Sequence, residues 1–279
     1  MFPSRRRSIA ALVLCLLLPA ALLVGAYAAA SAARRAAEHI PWDHVDTIRL
    51  TAQIGDDVFF EQTLADPDAV PALVRQVQLS LQPAEERLQR HSPLRQMTFV
   101  SKGKTQFALS LFDLSDPSDA SLGAEMVLLT RRGAIRHTAF FRIPDPAQQL
   151  ELLLHFVSVP AVERAECSAD SPDGRREAVC GEEQAQVLLG AIHLLTDTRS
   201  GIADYPWNKS GVQRRYAARF SGPDGQETAY ELLLPEPDKQ AALLRRDGEE
   251  THLYLFSGAA VQARLEFAFE QALDAGAAP

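Results

Sequence analysis

The sequence predicts an α+β fold made of two tandem copies of an antiparallel sheet with helices packed on one face. Each copy runs ββ-α-ββ-ββ-α, and an N-terminal transmembrane helix precedes them. Three observations carry this expectation. Leu128–Glu151 and Leu243–Glu266 align without a gap at a spacing of 115 residues, and eight of the 24 positions are identical, among them Arg131/Arg246, Gly133/Gly248, His137/His252 and Phe141/Phe256. Both halves interleave period-two apolar runs with helical ones in the same order. Residues 9–33 form an uncharged run behind Arg5-Arg6-Arg7.

That run of 25 residues exceeds the roughly 20 that a helix needs to cross the hydrocarbon core. The three arginines place residues 1–7 in the cytoplasm, residues 8–33 in the bilayer and the body beyond it. A signal peptide cleaved near Ala26-Tyr27-Ala28 or Ala28-Ala29-Ala30 is the competing reading, and it too exports the body, as a secreted or periplasmic protein. Cys15 follows Leu14 in mid-run, where a lipoprotein needs a small residue, so it reads as an apolar helix position.

Residues 34–44 read as a tether and 45–158 as the first copy. Val45–Thr51 and Val58–Thr63 are strands around the Gly55-Asp56-Asp57 turn. Asp66-Pro67-Asp68 opens a helix whose inward face is Val70, Leu73, Val74 and Val77. Residues 82–93 suit a loop. Met97 and Phe99, then Phe107, Leu109 and Leu111, alternate around Lys102-Gly103-Lys104 as a hairpin. A Ser/Asp/Pro loop at 113–121 follows, then a hairpin of Glu125–Thr130 and Ile135–Ile143. Pro144-Asp145-Pro146 opens a helix with Leu150, Leu153, Leu154 and Val157 on its apolar face.

The second copy spans 159–275, with a frayed tail at 276–279. Its opening hairpin turns at Asp173-Gly174, a favoured two-residue turn. That turn sets Cys167 directly opposite Cys180, and facing Cβ atoms in an exported protein predict a disulfide. A redox pair or a metal pair is less suited, since the spacing is not CxxC and no His is adjacent. A helix over 182–196, hairpins Val212–Phe220/Glu227–Leu234 and Leu243–Arg245/Thr251–Phe256, and a closing helix over 260–273 complete the copy.

The 279 residues suffice for two domains, and 47% apolar against 23% charged residues excludes wholesale disorder. The net charge of -8 includes five N-terminal arginines. Without them, 23 basic residues face 36 acidic ones, or -13. Such a body repels phosphate backbones, so nucleic acid is not an expected partner.

No GxSxG, HExxH, GxGxxG or GxxxxGK[ST] motif occurs. His137 and His252 match between the copies as strand histidines without ligand partners. His39 and His44 lie five apart in the tether, without acidic partners in ligand geometry. Asp113, Asp116 and Asp119 recur every third residue and not every second, unlike a calcium loop. The Arg pairs at 131–132, 214–215 and 245–246 could grip anionic groups. Asn208-Lys209-Ser210 is a glycosylation acceptor in form. Trp42, Trp207 and Tyr205 follow or flank prolines in loops and are the candidate partner contacts, the alternative being rings folded onto their own core.

The expected function is a membrane-anchored, extracytoplasmic, non-catalytic binding protein of the cell envelope, with another envelope protein or an extracellular ligand as partner. No catalytic residue, cofactor or metal is expected. The alternatives are a secreted hydrolase-type enzyme using dispersed carboxylates such as Glu151 and Glu266 at the junction of the copies, and a lipid or small-molecule carrier with an enclosed apolar cavity.

Overall fold

A computed structural model describes residue 40 and residues 42–276, apart from 85, 117, 131, 173, 198, 200, 204–210 and 236–239. The expected span at 8–33 lies outside the described residues, as do His39, Tyr205, Trp207 and the acceptor at 208–210. Among the described residues no helix is long and apolar enough to cross a membrane.

The first half comprises β1 (Thr47–Ile54), β2 (Asp57–Leu64), α1 (Ala69–Ser80), β3 (Gln82–Pro83), β4 (Arg90–Ser101), β5 (Lys104–Leu114), β6 (Leu122–Leu129), β7 (Ile135–Ile143) and α2 (Pro146–Leu154). The second comprises β8 (Arg164–Ser171), β9 (Gly174–Gly181), α3 (Glu182–Thr196), β10 (Ile202–Ala203), β11 (Val212–Ser221), β12 (Glu227–Pro235), β13 (Ala241–Asp247), β14 (Glu250–Phe256) and α4 (Ala259–Gly276). Each half builds a seven-stranded antiparallel sheet, β2-β1-β4-β5-β6-β7-β3 in one and β9-β8-β11-β12-β13-β14-β10 in the other. The two orders are the same element for element.

Local chemistry explains the boundaries. The Asp66 carboxylate accepts from the backbone N–H groups of Asp68 and Ala69, both at 2.9 Å. The Asp145 carboxylate accepts from Ala147 N–H at 3.0 Å, with Pro146 opening the helix. Lys102 and Gly103 both take positive φ, 50° and 73°, which matches the twist of a two-residue hairpin. Residues 82–93, expected as loop, instead supply β3 and the start of β4. Gln82 pairs with Arg142, and Arg90 with Leu114. Backbone polar groups at the free edge of β7 and the end of β5 are satisfied that way.

Alternation divides each sheet into two faces. Ile48, Leu50, Phe99, Phe107 and Leu109 point at α1 and α2, where Val70, Leu73, Val77, Leu152 and Leu153 close the core. Cys167, Tyr216, Phe220 and Leu232 point at α3 and α4, meeting Leu188, Ile192, Leu265 and Phe269. The helical layers also meet each other. Leu150 of α2 is buried in the second core, and Leu194 of α3 packs on both. A Cβ on Gly190 would stand 2.4 Å from Leu154 Cδ2, so α2 and α3 approach closely there. The chain is layered sheet, helices, helices, sheet.

The repeat seen in sequence holds on one side of its hairpin turn and slips on the other. His137 pairs with Leu128, whereas its counterpart His252 pairs with Arg245. The structural partner of Leu128 is therefore Arg245, not Leu243. The first hairpin spends residues 130–134 between the Leu129–Ile135 pair, while the second closes with two residues between Asp247 and Glu250. A shorter turn moves every residue before it along the ladder while leaving those after it in place.

Candidate functional site

Alternation leaves Glu166 and Ser168 of β8, Arg215, Ala217 and Arg219 of β11, and Ala229 and Glu231 of β12 on the outer face of the second sheet, away from the helices. Small side chains at Ser168, Ala217 and Ala229 leave the floor low, and longer ones rise beside them. The result is an open trough of about 710 Å³, with Arg175 and Glu177 of β9 and Arg246 of β13 completing its walls. Beyond it, over β12 to β14, Leu233, Ala242 and Leu253 form a small buried cluster on the same face.

The trough is lined by charges of both signs. Glu231 is 5% exposed and is held by two guanidinium groups, Arg215 Nε at 2.5 Å and Arg246 Nη2 at 3.2 Å. A carboxylate so deeply set needs such partners, because burying it unpaired would cost several kcal/mol, roughly. Arg175 bonds Glu177 at 2.6 Å. Arg219 stands directly across the ladder from Glu166. Guanidinium forks and carboxylates arrayed over a flat strand backbone suit recognition of a polypeptide bearing complementary charges.

The predicted site residues are placed as follows. Trp42 turns inward: its ring meets Phe107 edge-on at 4.9 Å and Phe99 at 5.7 Å, closing the end of the first core. Cys167 and Cys180 are both buried and both free thiols. Their hairpin register differs from the expectation by two residues. Ser171 pairs with Gly174, so Cys167 faces Ala178 and Cys180 faces Ala165. The cysteines are diagonal neighbours on one face, still within reach of each other. A hydrogen bond from the Cys167 thiol, aided by the Ala165 backbone, draws the Cys180 thiol down to about 7. The same hydrogen bond, together with burial, pushes Cys167 far up.

Glu151 and Glu266 do not converge. Glu151 accepts from Gln76 Nε2 at 3.0 Å and lines a cavity among α2, α3 and α4. Glu266 is bonded by Arg214 and by the Tyr216 hydroxyl at 3.2 Å and lines a different one. The acidic loop disperses as well: Asp113 meets Arg264, Asp116 caps Ser118, and Asp119 meets Arg142. Among the described residues no group of three or more His, Cys, Asp or Glu could hold a metal ion.

A second feature was not anticipated from sequence. Arg95 and Arg264 are 4% and 7% exposed and lie at the junction of the halves. Arg264 Nη1 donates to Gln149 Oε1 at 3.0 Å, and Nη2 to Asp113 at 2.8 Å. Gln149 and Arg264 are the same position in the two copies, so equivalent residues touch where the halves meet. Gln149 also gives its amide to the carbonyls of Ala120 and Ile143, both at 2.8 Å. The one available signal was a polar residue beside an apolar anchor in both copies, Gln149-Leu150 and Arg264-Leu265. No family model matches the chain, and no curated protein or solved structure is significantly similar to it.

Proposed function

We propose that the chain is a membrane-anchored, extracytoplasmic binding protein that engages an envelope protein through the outer trough of its second sheet, without turning it over. The trough carries the reading: an open face about 710 Å³ in volume, with a low floor and charged walls, accommodates a polypeptide edge. The N-terminal apolar run supports the anchor, and the matching order of the two halves supports descent from one duplicated unit.

A photo-crosslinker at Ala229, which also lines the trough, in the full-length chain in native membranes is expected to capture one stoichiometric partner. Ala217→Trp, which fills the floor, and Arg219→Glu, which reverses a wall charge, should each lower capture by about tenfold, the weight of a 1.4 kcal/mol contact. Absence of any stoichiometric adduct from the trough, with adducts equal to those from an exposed site on the first half, would rule the reading out.

We also propose that Cys167 and Cys180 join as a disulfide in the exported protein, two electrons and two protons passing to a thiol oxidant. Diagonal neighbours stand about 7–8 Å apart at Cα, beyond the roughly 7 Å that a disulfide spans without backbone movement, so closure must draw β8 and β9 together. Non-reducing mass mapping should find the linked peptides, and reduction should cost about 3 kcal/mol of stability. Two alkylatable thiols in protein taken from the envelope would refute it.

A further inference from the structure

The cavity at the junction of the halves has the wrong charge for an empty one. It measures about 30 Å³ and is lined by Arg95, Arg199 and Arg264 against a single carboxylate, Asp113. Apolar side chains, Leu150, Leu153 and Leu265 among them, form the rest of its wall. Asp197 is a second carboxylate within electrostatic reach of Arg95, and it is also shared with His193 and Arg245. The cations outnumber the anions.

Arg95 is where the excess falls. It reaches from the helix-facing side of β4 and donates Nη2 to the Leu194 carbonyl at 3.3 Å. Its Nε–H has no hydrogen-bond partner and is fully buried. Arg264 is already committed to Asp113 and Gln149, and Arg199 gives Nη1 to the Leu255 carbonyl at 2.8 Å. Burial lowers Arg95 to about 10, against the opposing pull of Asp113. A water could satisfy the Nε–H, but it would leave the charge uncompensated in an apolar surround.

We infer that this cavity binds a small inorganic monoanion of the halide class, held by Arg95 Nε with Arg199 and Arg264 around it, and that the ion ties the two halves together. Volume and charge together select the ion. A cavity of about 30 Å³ holds roughly two waters, which admits chloride or bromide and excludes an organic phosphate, and the excess of Arg95, Arg199 and Arg264 over Asp113 and Asp197 matches one negative charge, not the two of sulfate. The inference does not rest on the proposed partner binding and survives its failure.

The test is the thermal midpoint of the full-length chain in detergent, with chloride replacing gluconate at constant ionic strength. Chloride and bromide should raise Tm saturably, by about 3–5 °C at ten times Kd, and sulfate should not. Arg95→Met should abolish the rise. In parallel, the unmodified chain should broaden the chlorine-35 NMR line, with bromide reversing the effect and Arg199→Gln weakening it. Should Arg95→Met fail to fold, the line width and Arg199→Gln decide. A Tm that responds equally to sulfate, or a line width indifferent to bromide and to Arg199→Gln, would overturn the site.

Discussion

Replacing Arg264 with methionine is expected to destabilise the protein by about 3–5 kcal/mol at neutral pH, because it strands a buried carboxylate. Asp113 is matched chiefly by Arg264, whose Nη2 lies 2.8 Å away. Burial pushes the Asp113 carboxyl up; the charge and hydrogen bond of Arg264, with help from Arg95 and Arg199, outweigh it and hold the group below the usual carboxylate range. The sign follows from linkage. A carboxyl depressed in the folded state contributes stability above its unfolded value, about 3.9, and loses it as pH falls through the folded value. The deficit of Arg264→Met should therefore be largest at pH 6–8 and shrink toward pH 3. Arg264→Lys, which keeps the charge but offers no fork to both Gln149 and Asp113, should fall between the two. Removing both partners, Arg264→Met with Asp113→Leu, should recover most of the loss. Urea unfolding followed by circular dichroism at pH 7 and pH 3 reads all four. A neutral-pH loss under about 1 kcal/mol, the range of an exposed ion pair, would mean that the junction is wetter than the structure shows.

Phe107→Ala should cost a similar 3–5 kcal/mol or so, for a different reason. Phe107 is 0% exposed, stacks on Phe99 at a centroid distance of 4.3 Å and receives Trp42 edge-on at 4.9 Å. Truncation leaves a void that the stiff strand backbone on either side cannot fill, and it removes two aromatic pairs, each worth roughly 0.5–1.5 kcal/mol. Phe59→Ala is the comparison. That ring is 42% exposed on the edge strand β2, and its loss should stay within about 0.5 kcal/mol. Equal losses at both positions would show that the first core does not form as described.

Much of the fold was legible because its determinants are short-range. Val70, Leu73, Val74 and Val77 recur at helical spacing, and all four are buried on α1. The acids at 66 and 145 cap the helices they precede, and the helix expected over 182–196 is α3 with the same bounds. Turn length was less legible. Asp173-Gly174 is a sound hairpin signal in isolation, but the inward pointing of Ala165, Cys167 and Ala169 sets the ladder of β8 and β9, and it moves the turn back by one residue. The two-residue slip between Leu128 and Arg245 comes instead from turn length, five residues in the first hairpin against two in the second.

Periodicity, caps and the doubled element order are written in neighbouring residues, so the chain alone determines which segments become strands and helices and in what sequence they come. Which polar side chains end up sharing a dry space is settled elsewhere. Asp113 and Arg264 are 151 residues apart, and no local pattern marks either as a partner of the other. Their pairing, the unmatched Arg95 and the trough on the far sheet exist only once the helical layers pack face to face, because that packing removes the water that would otherwise have kept those charges independent.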